Sequence, residues 1–138
     1  SMWPLSVRLK MTSLSFCDNF YVQAGGGREF DVAKRTIAST KLAPGDELIF
    51  VGSAGEMEQV VLQSAGGSFL RFLKQEVSTM KKTSIGVRGM RLAEGDHLEH
   101  AYLLGGHQEY TITFRDRPYV LNKVRLAKRD TKGVRPRV

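Results

Sequence analysis

The chain has 138 residues, 41% of them hydrophobic, a net charge of +7 at pH 7 and one cysteine, Cys17. That is enough for a single domain with a real core, which excludes wholesale disorder, and it is short for a modular enzyme. A lone cysteine excludes an internal disulfide, and Cys17 lacks the neighbours that a zinc site or redox pair requires. Arg8 and Lys10 interrupt the opening SMWPLSVRLKM, and no apolar run reaches membrane-spanning length. The expected setting is therefore a soluble protein of the reducing cytoplasm, with a polyanion as the partner its charge suits best.

In chain order, short apolar runs alternate with turn chemistry and no long 3.6-residue period appears, so the expected fold is all-β. Strands are expected at 13–17, 20–23, 36–42, 47–52, 59–63, 68–72, 86–92, 97–104, 110–115 and 119–125, with one helical turn near 75–81. YTITFR is the clearest, with Tyr110, Ile112 and Phe114 on one face and Thr111, Thr113 and Arg115 on the other. Turns are expected at Asp18-Asn19, Gly25-Gly26-Gly27, Pro44-Gly45-Asp46, Gly66-Gly67, Glu94-Gly95-Asp96, Gly105-Gly106 and Arg117-Pro118.

The chain also repeats itself. TIASTKLAPGD (36–46) and GVRGMRLAEGD (86–96) align Ile37 with Val87, Lys41 with Arg91, Leu42 with Leu92, and Gly45-Asp46 with Gly95-Asp96. Each unit opens on a hairpin (FCDNFYVQ; VLQSAGGSFLRF; TFRDRPYVLNK), passes through a basic connector (VAKRT; STMKKTS; LAKRDTK) and returns as a strand, a Gly-Asp turn and one more apolar strand. The third copy stops at its connector. About two and a half propeller-like blades of roughly 50 residues result. They are expected at 13–58, 59–108 and, in part, 109–138, after an N-terminal extension (1–12) of uncertain structure. One blade cannot bury both of its faces, so such an array is stabilised by stacking. The chain is then a segment of a longer array, or it self-associates to complete the disc.

Charge follows the repeat. DELIFVGSAGEME and EGDHLE, around the Gly-Asp turns, are purely acidic, whereas the connectors hold Lys34, Arg35, Lys81, Lys82, Lys128, Arg129 and Lys132. Flanking these are Arg71, Lys74, Arg88, Arg91, Lys123, Arg125, Arg135 and Arg137. Equivalent connectors of stacked blades lie on one rim, so the repeat converts scattered cations into a track for a phosphate backbone. Arg88 and Arg91 are expected at the rim end of their blade, stems on the sheet and charges in solvent.

VVLQSAGGSFLRFLKQEVSTMKKTSIGVRGMRLAEGDHLE resembles a blade from the C-terminal domain of bacterial type IIA topoisomerase A subunits, those of DNA gyrase and topoisomerase IV. REFDVAKRTIASTKLAPGDELI is similar to the matching half of a preceding blade, and LNKVRLAKRDTKGVRPRV to a chain end in topoisomerase IV-like members. The resemblance implies a β-pinwheel that bends duplex DNA around a basic rim. It also implies as partners the ATPase B subunit together with the rest of the A subunit, within an ATP-dependent topoisomerase and near the nucleoid. A box of Gln, basic, Arg, Gly, Gly, basic, Gly marks the gyrase members. Here Lys128, Arg129, Lys132 and Gly133 fit it, while Ala127, Asp130 and Thr131 depart from it, which points to DNA capture and bending rather than gyrase-type wrapping.

No catalytic constellation accompanies these features. Tyr21, Tyr102, Tyr110 and Tyr119 read as strand residues, and none lies in a context resembling the family's cleavage tyrosine. His97 and His100, three apart on a strand, point to opposite faces, so with His107 they make a poor metal site. The glycines at 25–27 precede no helix and lack the Lys-Ser/Thr of a phosphate loop. Neither cofactor nor metal is expected. The rival reading is a propeller-type interaction module with an acidic protein partner; a weaker one is a small RNA-binding barrel.

Overall fold

The run QVVLQ sets Val60, Val61 and Leu62 side by side, so a strand through it must bury both faces. All three are inaccessible to solvent. They lie in β4 (Met57–Ser64), the middle strand of an antiparallel sheet ordered β5-β4-β7, where β5 is Phe69–Leu73 and β7 is Leu98–Gly105. The computed structural model describes residues 7–14, 17–25, 46–53, 57–77, 86–105 and 108–137.

One face of the middle sheet is covered by a four-stranded sheet ordered β3-β2-β1-β6, in which β1 is Val7–Leu14, β2 Cys17–Gly25, β3 Asp46–Ser53 and β6 Val87–Arg88. Alternation in β1 sends Val7, Leu9 and Met11 inward, against Val60, Leu62, Leu70 and Phe72. The other face carries a hairpin of β8 (Thr111–Phe114) and β9 (Arg117–Val120). Here Val61, Phe69 and Leu104 pack on Phe114, Leu121 and Val124. Phe69 meets the rings of Phe114 and Tyr119 edge-on at 5.0 and 4.9 Å. The described residues thus stack as three layers with two apolar seams, and among them regular structure is β apart from two single 3₁₀ turns.

The repeat is visible in detail. Each of the hairpins β4–β5 and β8–β9 runs into a 3₁₀ turn, Lys74–Glu76 and Leu121–Lys123, closed by the N–H of Val77 on the Lys74 carbonyl and of Val124 on the Leu121 carbonyl. Val77 and Val124 then fill the two seams. β3 lies antiparallel on β2 as β7 lies on β4, β3 beginning at Asp46 and β7 two residues after Asp96. In the first unit β2 is therefore the counterpart of β4, and β1 takes the flank that β5 takes in the middle sheet. The expected FCDNFYVQ hairpin is accordingly displaced: Leu14 pairs with Cys17, and Asp18-Asn19 lies inside β2 rather than at a turn. Part of the sequence read as an N-terminal extension is core strand.

Other expectations shift for local reasons. The helical turn near 75–81 is the short 3₁₀ turn at Lys74–Glu76, and residues 78–81 lie outside the described residues. The last hairpin turns at Arg115-Asp116, both with positive φ (52° and 64°), which is the twist a two-residue hairpin loop favours. Pro118 consequently sits in β9, opposite Thr113, on a two-stranded ribbon where a missing N–H is tolerated. The strand expected at 119–125 stops at Val120, and that at 86–92 reduces to Val87–Arg88 with an isolated bridge at Met90. The strand expected at 36–42 lies outside the described residues.

Gly89 explains why so little of that segment is regular. Its N–H donates to the Val7 carbonyl (2.7 Å), and a Cβ there would lie 2.8 Å from Leu9 Cγ and 3.2 Å from Leu62 Cδ1. The chain crosses the first seam at this point with no room for a side chain. Gly89→Ala is expected to destabilise the protein by about 2 kcal/mol through overpacking, measured by urea unfolding.

Candidate nucleic-acid interface

The third basic connector folds back across the blades. The N–H of Ala127 donates to the Arg71 carbonyl (2.8 Å), that of Asp130 to Gly89 (2.9 Å) and that of Arg91 to Thr131 (2.9 Å), and Phe69 and Val134 exchange two backbone bonds of 2.8 Å. Residues 127–134 thereby join β5 to the Gly89–Arg91 segment. Two residues make the path feasible. Asp130 adopts φ 64°, a region Asp tolerates better than most residues. Gly133 adopts φ 78°, with its Cα so close to β5 that a methyl group would overlap the Phe69 carbonyl. Of the seven residues aligned with the gyrase box, Gly133 is thus required by the fold itself.

The cations divide by what their heads touch. Arg71 donates from Nε to Gln59 Oε1 (2.7 Å) and from Nη1 to the Val124 carbonyl (2.9 Å), pinning the connector to β4 and β5. Arg129 donates from Nε to the Glu76 carbonyl (3.0 Å) and from Nη1 to the Arg88 carbonyl (2.6 Å), while its backbone N–H reaches Glu76 Oε1 (2.9 Å). These two guanidiniums are structural. Lys74, Lys123, Arg125, Lys128 and Lys132 lie on the surface, with Lys74 half-buried and the others less covered. Arg88 and Arg91 both face Asp130, at 3.1 and 4.0 Å, with their side chains 70% and 66% exposed. Lys34, Arg35, Lys81 and Lys82, expected on the other two connectors, lie outside the described residues.

Arg91, Lys132 and Arg135 meet around a concavity of about 300 Å³ whose floor includes Ser68, Leu92 and Gly133. Arg135 also donates from Nη1 to the Gly66 carbonyl (3.0 Å), which holds its guanidinium at the rim. One carboxylate, Asp96, shares the lining. Its Oδ1 accepts the N–H groups of Gly66 and His97, both at 2.8 Å. Burial pushes the Asp96 pKa upward, but hydrogen bonds from the Ser64 side chain and from those two N–H groups outweigh it and hold the pKa below its ordinary 3.8. Asp96 is therefore a turn staple that ties the Gly-Asp turn to the β4–β5 hairpin.

Because the folded state holds this carboxyl ionised, its contribution is fully present above the ordinary value of 3.8 and fades as pH falls through the lower folded value. Asp96→Asn is expected to lower stability by about 1 kcal/mol at neutral pH, allowing for solvent screening. The difference from the parent chain should close in acid, as read by urea unfolding at several pH values.

The residues read as candidates from the sequence are thus partly united and partly dispersed. Arg88, Arg91, Lys128, Lys132 and Arg135 gather along the folded-back connector, Arg71 and Arg129 turn inward to carbonyls, and Lys123 and Arg125 flank the second seam. The part of Asp130 in binding two arginines was missed, since it depends on Gly89 and Asp130 being neighbours. Tyr102, Tyr110 and Tyr119 pack against the second seam. Tyr102 donates to Gln63 Oε1 (2.7 Å), and burial raises its pKa and that of Tyr119. Among the described residues, no group of three His, Cys, Asp or Glu side chains could hold a metal ion, and no helix is long and apolar enough to cross a membrane.

Comparison with known proteins finds similarity both in sequence and in fold. Residues 58–104 match the model of the DNA gyrase C-terminal domain, beta-propeller. The DNA gyrase A protein of Escherichia coli K12 is 46% identical over 56 residues, covering 41% of this chain and 6% of that protein. Its counterpart in Deinococcus deserti is 36% identical over 66 residues, covering 48% and 8%. The chain therefore matches less than a tenth of these relatives' length. Among solved structures, the C-terminal domain of DNA topoisomerase IV superposes with a TM-score of 0.60 at 20% identity, over 96% of this chain and 41% of that one. The DNA gyrase A C-terminal domain gives 0.59 at 19%, over 95% and 43%. In sequence across its central blade, and in fold across nearly all its length, this chain is similar to the β-pinwheel C-terminal domain of the type IIA topoisomerase A subunit.

Proposed function

We propose that the chain is a non-catalytic duplex DNA-binding module of a type IIA topoisomerase, working in the bacterial cytoplasm beside the ATPase B subunit, with the remainder of its own A subunit. The observation that carries this reading is the convergence of Arg91, Lys132 and Arg135 on one concavity, continued by Arg88 and Lys128 along the same connector. Guanidinium and ammonium heads held at a rim suit phosphate oxygens, and such contacts fix position without reading bases. The box supports capture and bending over wrapping of fixed handedness: the connector that carries it is bonded to β5 and Gly89 along its length, and a carboxylate stands at position 130.

Binding to duplex is expected to be weakly sequence dependent and to fall steeply with salt as counterions are released. With about five phosphate contacts, log K should decline with log salt at a slope near −4 to −5. Anisotropy titrations of labelled duplexes of unrelated sequence measure both properties. A flat salt response, or strong preference for one sequence, would remove the reading. Ligation of nicked circles in the presence of the protein tests bending, through a shift in the topoisomer distribution.

A further inference from the structure

Asp130 stands among the cations of the proposed DNA surface, and its geometry differs from that of a casual surface ion pair. Its Oδ2 lies 3.1 Å from Arg88 Nη2 and its Oδ1 4.0 Å from Arg91 Nε, so one carboxylate spans two guanidiniums. The carboxylate side chain is 20% exposed beneath arginines that are 70% and 66% exposed. The backbone that carries it is fixed. The Asp130 N–H is bonded to the Gly89 carbonyl, its backbone is held at φ 64°, and the next residue bridges Met90. Arg129 ties the same segment to the Arg88 carbonyl at 2.6 Å.

A carboxylate between two guanidiniums offers what a backbone phosphate offers, paired oxygen acceptors and negative charge. The geometry points to Asp130 as a built-in counter-charge of the DNA surface: it occupies the place of a phosphate between Arg88 and Arg91 and sets duplex affinity below what those cations would otherwise give. This rests on the DNA-binding reading above and deepens it. DNA approaching this edge meets two arginines already partly neutralised, and a phosphate gains their donors only in competition with a carboxylate that stays in place. Each cation so occupied also releases fewer counterions on binding, so Asp130 lowers the salt slope as well as the affinity.

The test is Asp130→Asn, which removes the charge and keeps a side chain that tolerates positive φ; Asp130→Gly serves as a second variant with the same tolerance. Duplex affinity is measured by anisotropy over a salt series, with urea unfolding as the check on folding. Both variants should bind about tenfold more tightly at low salt, with a slope steeper by about 1. Glu109→Gln, which removes an exposed carboxylate that lines no concavity with these cations, should gain much less, and Asp130→Asn introduced into an Arg88→Ala, Arg91→Ala background should gain nothing. Equal affinity and slope in Asp130→Asn and the parent chain would overturn the inference while leaving the DNA-binding reading intact. So would weaker binding by Asp130→Asn, a gain matched by Glu109→Gln, or a gain that persists without the two arginines. If neither the parent chain nor the variants bind duplex, the functional reading itself falls, and this inference with it.

Discussion

Gly133→Ala is expected to cost about 3 kcal/mol, a large share of the net stability of a domain this size. Two effects combine. The residue sits at φ 78°, where a Cβ is strained, and that Cβ would be driven into the Phe69 carbonyl, with the Phe69 carbonyl carbon only 2.8 Å away. Backbone in a paired strand cannot move aside as a flexible side chain can, and relief would break the two bonds between Phe69 and Val134. Gly95→Ala is the control. It has the same kind of conformation, φ 81°, with no atom within 4 Å of the added carbon, so it should lose only about 1 kcal/mol. The difference between the two unfolding free energies isolates the clash.

The second large effect is on binding. Replacing Arg91, Lys132 and Arg135 together by Ala is expected to reduce the salt slope of duplex binding by about 3, and affinity at 0.1 M salt by roughly two to three orders of magnitude. Stability should change little, because the heads of Arg91 and Lys132 are exposed and Arg135 contributes one surface bond. Arg129 belongs to a different class. Its guanidinium makes two bonds that hold the connector, so Arg129→Ala would confuse loss of fold with loss of binding. Unchanged binding in the triple variant would place the DNA surface elsewhere.

Much of the fold was legible because it depends on short-range pattern. The continuous apolar run at Val60, Val61 and Leu62 announces a strand buried on both sides, and Glu94-Gly95-Asp96 announces where the central unit turns back. Register was less legible. Asp18-Asn19 has turn chemistry, yet it is carried inside β2 because the alternation of Val7, Leu9 and Met11 sets the pairing of β1 from the other side. The site was legible in its residue types and only partly in their roles. Arg71 and Arg129 look identical to Arg88 and Arg91 in the sequence. Which cations point at carbonyls and which at solvent is decided by where the third connector lands, and that is a long-range fact. Gly89 and Gly133 were visible as motif glycines, while the atoms that require them, in Leu9 and Phe69, lie far away along the chain.

The return of the third connector also bears on how the protein folds. Arg71 reaches the Val124 carbonyl across 53 residues, and Arg135 reaches Gly66 across 69. Such closures pay their entropy before any contact repays it, so folding should be slow for a chain of this length, with hairpin nuclei waiting on the late-synthesised segment. Until residues 126–134 arrive, the edge of β5 offers open amide and carbonyl groups to any neighbouring strand, so nascent or truncated chains are the forms most exposed to aggregation.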